Sequence, residues 1–187
     1  MKISAAFPPV PATPEHIRLA EKLGYTTAWV YDTPALQLDC WMTLALAAAR
    51  TRRIRLGPGV ILPSLRHPMV TASAIATLVS LVGESRVIIG IGTGFTGRRA
   101  MGQKPLRWQD MPRMVGDIRR LLAGETVEIE GAATSMLQLA GPGPEPPDRG
   151  AVCARRQRSE GPRDSSRHAL RRDHLAPAPG RKLRQEP

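Results

Sequence analysis

Along residues 1–139, short apolar stretches alternate with longer segments whose apolar positions repeat at helical spacing. Residues 3–7 read as a short strand. Thr13-Pro14-Glu15 then supplies an N-cap residue, a proline at the first helical position and an early acid, and Gly24 closes that helix. Residues 26–31, rich in β-branched and aromatic side chains and closed by Asp32, predict a second strand. Asp39 can cap the next helix, in which Trp41, Leu44, Ala45 and Ala48 share one face. Residues 54–62 form a third strand interrupted by Gly57-Pro58-Gly59, and Pro68 opens a helix whose Ile75, Leu78, Val79 and Val82 make an apolar stripe. The run Val87-Ile88-Ile89-Gly90-Ile91 has no alternation, the pattern of a parallel strand covered on both faces. A fourth helix carries Met111, Val115, Ile118, Leu121 and Leu122. Strand and helix repeated four times imply right-handed crossovers and a parallel sheet, hence an α/β architecture. Four units alone leave a closed eight-stranded barrel and an open sheet both available.

The pattern stops near residue 140. Residues 140–187 hold eight prolines and five glycines, and their only large aliphatics are Val152, Leu170, Leu175 and Leu183, too few for a core. Net charge is +11 over 187 residues; residues 1–139 carry 16 Lys or Arg and 10 Asp or Glu, whereas 140–187 carry 11 and 6. The tail is therefore the more basic part, and a disordered Pro/Arg-rich tail is expected at 140–187. Polyanion binding, a solvated tail and out-of-frame translation of a GC-rich gene are three readings of it. The third accounts for the abrupt onset where a fifth strand is due. Nucleic acid is not favoured, because no aromatic residue is interleaved for base stacking. Cys40 and Cys153 stand outside any C-x-x-C pattern, so neither a metal site nor a disulfide framework is expected, and a reducing cytoplasm is. Prolines at 8, 9 and 11 cut off a signal-peptide core, and no apolar run reaches the roughly 18 residues of a membrane span.

Candidate chemistry gathers at the ends of the strands, where α/β sheets bind ligands. Gly92-Thr93-Gly94-Phe95-Thr96-Gly97 fits G-x-G-x-x-G after an apolar strand. A dinucleotide site needs a helix opening at those glycines, and Gly102 and Pro105 are expected to interrupt one; a flexible loop over a different cofactor site is the other reading. Asp32 could bond a cofactor or substrate, or cap the turn at Thr33-Pro34. Gly57-Pro58-Gly59-Val60 suits unusual peptide geometry at a strand end. His67 could donate a proton or cap the helix at Pro68, and Arg98 and Arg99 could bind anions or lie in solvent. The four histidines, at 16, 67, 168 and 174, show no ligand spacing, and no nucleophilic constellation is visible.

Taken together, Gly24-Tyr25, Trp29-Val30-Tyr31-Asp32, Arg55-Leu56-Gly57-Pro58-Gly59-Val60, Pro63, Arg66-His67-Pro68 and Gly90-Ile91-Gly92-Thr93-Gly94 with Gly97-Arg98-Arg99 and Gly102 resemble the luciferase-like monooxygenase superfamily. The likeness is greatest to the branch related to methylene-tetrahydromethanopterin reductase, and it covers residues 1–139. It implies a partial TIM (β/α)8 barrel of about four N-terminal βα units, truncated before the remaining four. It implies that Asp32, Gly59, Val60, Thr93 and Gly94 line a site for coenzyme F420 (a deazaflavin) or for FMN, and that Gly59–Val60 falls where the family carries a cis peptide. The implied reaction is hydride transfer between that ring and a small organic substrate, with FMN-dependent oxygenation as the alternative. No catalytic residue is assigned, and a homodimer is left open. Outside the enzyme class, the rival is a non-catalytic basic-tailed fragment that binds polyanions.

Overall fold

The strands form on short apolar runs, closed by Pro8 after the first and by Asp32 after the second. Ser4–Phe7 (β1), Thr27–Val30 (β2) and Arg55–Pro58 (β3) lie side by side in that order, all parallel. Their register sets Phe7 beside Val30 and Val30 beside Pro58, so their carboxyl ends finish level. The structure, a computed structural model, describes residues 2–136 and 152–154.

Five helices connect these strands: Thr13–Lys22 (α1), Cys40–Ala48 (α2), Pro68–Val82 (α3), Phe95–Ala100 (α4) and Met111–Leu122 (α5). Ile89–Ile91 (β4) extends the parallel order. Ile88 N donates to Leu56 O at 3.1 Å, Ile61 N to Gly90 O at 2.7 Å and Gly92 N to Ile61 O at 3.1 Å. Past α5, Val127–Ile129 (β5) and Ala132–Thr134 (β6) make an antiparallel hairpin through Glu130 and Gly131, both at positive φ. Val152–Ala154 (β7) pairs parallel with the remaining edge of β4, Gly90 facing Cys153. That strand lies within the stretch the sequence assigns to the tail, whose other residues fall outside those described.

The core sits where helices cover the strands. Ile17, Val30, Leu44, Leu56, Ile75, Ile89, Ile91 and Ile118 are all fully buried there, a large apolar term at roughly 25 cal/mol per Å2 removed from water. The stripes of α3 and α5 follow the sequence pattern, with Thr71 and Ala72 extending the first toward its N-terminus. In α2 the buried side is Cys40, Thr43, Leu44, Ala47 and Ala48, whereas Trp41 and Ala45 are half-buried. The face is turned from the expected one because this helix is apolar nearly all round, so its neighbours, not its own periodicity, choose the side. Thr13 also departs from expectation. Its hydroxyl donates to Pro8 O and accepts from Val10 N at 3.1 Å, holding a turn in which prolines leave few backbone donors, and Ala12 takes the cap position.

The amino ends of the strands are tied by ion and hydrogen bonds. Glu21 of α1 accepts from the backbone N–H of Arg53 at 2.6 Å, of Ile54 at 2.8 Å and of Arg52 at 3.0 Å. Partial burial pushes its carboxyl up, but those three donors outweigh this and hold it below the usual range. Arg86 reaches Thr51 Oγ1 at 2.8 Å and Ile54 O at 3.1 Å. Among the described residues, no helix is long and apolar enough to cross a membrane.

Candidate functional site

At the opposite, carboxyl end of the strands, the chain folds around a cavity of about 390 Å3, inside the range of roughly 300–1,000 Å3 typical of small-molecule sites. Tyr31, Asp32 and Thr33 after β2 form one wall, Gly59, Val60 and Leu62 after β3 the floor, and Gly92 to Gly97 after β4 the other wall, with Trp108 at the rim. All five residues singled out in the sequence, Asp32, Gly59, Val60, Thr93 and Gly94, therefore line one cavity. The Gly59–Val60 peptide is cis.

Close packing accounts for the glycines. A Cβ on Gly59 would come within 2.8 Å of Trp29 Cβ, one on Gly92 within 2.6 Å of Val60 Cγ2, and one on Gly94 within 2.5 Å of Leu62 Cδ2. Gly97 meets the same Leu62 methyl at 2.9 Å. The wall after β4 thus packs against the floor with no side chain between them. Gly94 has φ +78°, a left-handed conformation that glycine adopts without strain, and from it α4 opens directly. A helix at the glycines was not expected from Gly102 and Pro105. It forms because six residues fit before Gly102 turns the chain, but the region about 20 residues past the glycines is helix α5, not a strand ending in the acid of a dinucleotide site.

Asp32 lines the cavity and has an ion-pair partner that its sequence position does not suggest. Its side chain is 1% exposed and Oδ2 accepts from Arg66 Nη1 at 2.7 Å, while Arg66 Nη2 donates to Asp39 Oδ2 at 3.0 Å. Asp39 Oδ1 in turn accepts from Trp41 N at 2.8 Å and Met42 N at 2.9 Å, the expected cap of α2. Burial pushes the Asp39 carboxyl up, but the Met42 amide and Arg66 outweigh it and hold the group low. Burial works against the charge of Arg66, and the Asp32 carboxylate more than offsets it. Buried Cys40 sits against the same carboxylate; burial first and Asp32 second push its thiol far up, so it stays protonated.

His67 is an N-cap: its Nδ1 accepts from Met69 N at 3.1 Å. Arg98 donates to Lys104 O at 2.6 Å and to Ser64 Oγ, pinning α4 to the loop before α3. Arg99 lies 4.2 Å over the Phe95 ring. Sequence reasoning missed the walls made by Tyr31, Leu62, Phe95 and Trp108 and the partnership of Arg66 with Asp32. Only Arg66 left a signal, an arginine beside the His67-Pro68 helix start with no acid near it in sequence.

A parallel βα array with its cavity at the carboxyl ends defines a barrel-type α/β enzyme scaffold. Residues 3–155 match the luciferase-like monooxygenase model, and the chain belongs to that family. It is 35% identical over 120 residues to the 5,10-methylenetetrahydromethanopterin reductase of Archaeoglobus fulgidus, covering 62% of this chain and 35% of that protein. It is 32% identical over 135 residues to the F420-dependent glucose-6-phosphate dehydrogenase of Microbacterium testaceum, covering 63% and 39%. The solved F420-dependent tetrahydromethanopterin reductase of Methanopyrus kandleri superposes with a TM-score of 0.60 at 26% identity, over 81% of this chain and 46% of that one. The chain thus spans between about a third and two-fifths of these two curated relatives' length. It has the fold of the first part of a TIM-barrel enzyme of this family.

Proposed function

We propose that the cavity above β2, β3 and β4 takes the tricyclic ring of coenzyme F420, or of FMN, and that the activity is hydride transfer between that ring and a small organic substrate. The observation that carries this reading is the glycine-lined cavity: Gly92 and Gly94 lack the Cβ that would clash with Val60 and Leu62 of the floor, Gly59 lacks the one that would clash with Trp29, and the cavity they border is of ring size. Membership of a family whose relatives are F420-dependent supports the choice of cofactor. When bound, the ring supplies the two-electron chemistry.

The residues of this chain bind and orient. Val60 and Leu62 give an apolar floor, Tyr31, Phe95 and Trp108 give aromatic walls, and the Thr33, Thr93 and Thr96 side chains bring hydroxyls to the lining. Asp32, tied to Arg66, holds the wall after β2 and lines the cavity. The polyanion reading rests on residues outside those described.

A fluorescence titration with F420 and with FMN tests the proposal. Saturable one-site binding is expected for at least one of them, weakened about tenfold by Thr93→Val, the size of effect of one lost hydrogen bond to a buried ligand group. No binding of either, with circular dichroism showing a folded chain, would reject it.

A further inference from the structure

We infer that Arg66 is a positioning residue for the ring site: its guanidinium, bridging Asp32 and Asp39, ties the wall after β2 to the loop that follows the floor and to the start of α2, and so holds the shape of the cavity. This rests on the ring-site reading above for its functional consequence, though not for its geometry.

Three observations converge. Arg66 belongs to the loop that follows the floor residues Gly59, Val60 and Leu62, whereas Asp32 belongs to the wall after β2, so the 2.7 Å bond ties floor to wall. The second arm, 3.0 Å to Asp39, anchors the clamp to the first turn of α2 through the Trp41 and Met42 amides. A planar fork is needed to serve two carboxylates at once, a geometry a lysine cannot reproduce. Asp32 itself is 1% exposed at the side chain, so removing Arg66 takes the ion-pair partner from a buried carboxyl.

The ionisable groups around Asp32 are few. Cys40 of α2 lies against it and stays protonated, and Asp39 stands on the far side of Arg66. Across the cavity α4 brings Arg98 and Arg99, but these are turned to Ser64, the Lys104 carbonyl and the Phe95 ring, and Tyr31 stands on the near wall. Remove Arg66 and Asp32 has two ways out. It takes up a proton and remains buried, or it stays charged and swings toward water in the cavity, where it disrupts the wall and repels an anionic cofactor. The second is favoured as pH rises and weakens the binding of an anionic cofactor.

The experiment measures FMN affinity from about pH 5.5 to 8 for the wild type, Arg66→Met, Arg66→Lys and the Asp32→Asn/Arg66→Met double variant, each as a ratio to wild type at the same pH. The affinity ratio for Arg66→Met is expected to fall about tenfold from the acid to the alkaline end of that range, one countercharge having been lost near a buried acid. Arg66→Lys restores a flat ratio because it returns the charge, and the double variant is flat because the wall after β2 no longer carries the Asp32 acid. Amide exchange of Trp41 and Met42 in the cofactor-free protein is measured alongside. It accelerates in Arg66→Met and also in Arg66→Lys, which loses the second arm. A flat ratio for Arg66→Met, or a slope surviving in the double variant, overturns the inference. Failure of FMN and F420 to bind any of the proteins sinks the ring-site reading instead, and the pH dependence of the two amides then decides the clamp alone.

Discussion

Gly92 shows how much a single hydrogen atom decides at the floor of the cavity. With Val60 Cγ2 at 2.6 Å from the place a Cβ would occupy, Gly92→Ala has to displace either the Val60 side chain or the β4 backbone. Overpacking of this kind costs about 1–3 kcal/mol, so the denaturant midpoint should fall. Adding Val60→Ala should recover part of the loss by opening the same space, and a double variant no better than the sum of the two singles would show that the clash is elsewhere. The sequence made the cavity legible at such residues: glycines flanking a strand end are visible as a motif, and all five expected residues do meet. It could not make Asp32 legible. The choice between ligand, cap and ion pair depends on Arg66, 34 residues away in sequence, and no local pattern records that bond.

Elements were readable wherever one stripe of apolar residues dominates. In α5 all five of the expected residues are buried, while in α2 alanine and leucine on every side left the orientation to the neighbouring elements. The tie between α1 and the segment entering β3 is likewise invisible in sequence, since Glu21 serves three backbone amides more than thirty residues on. Its pH signature follows from the lowered carboxyl. A group with a depressed folded pKa adds stability above its unfolded value, about 4.3 for Glu, and loses it as pH falls through the folded value. The stability gap between the wild type and Glu21→Gln is therefore expected to be present near neutrality and to close in acid. A gap that stays constant down to about pH 3 would mean the three amide bonds do not depend on the charge.

At the scale of the molecule, parallel order was forecast by the four strand–helix repeats and is what the sheet shows, from β1 through β4. The pairing of Val152–Ala154 with β4 was not forecast, because a three-residue strand in a proline- and arginine-rich stretch carries no periodicity. That pairing has a direct consequence. A chain ending at 157 should keep the stability of the full chain, whereas one ending at 147 uncovers an edge of β4 and should unfold at lower denaturant; equal midpoints would show that β7 contributes nothing.

The central claim is that one cavity at the carboxyl ends of β2, β3 and β4 is the ring site. Amide chemical-shift mapping during titration with F420, repeated with FMN, tests it most directly. The account predicts saturable shifts at Asp32, Gly59, Val60, Thr93, Gly94 and Trp108, with the amino-end amides of Arg52, Arg53 and Ile54 unmoved. Shifts centred on the amino end of the strands, or no saturable shift with either cofactor, would contradict it.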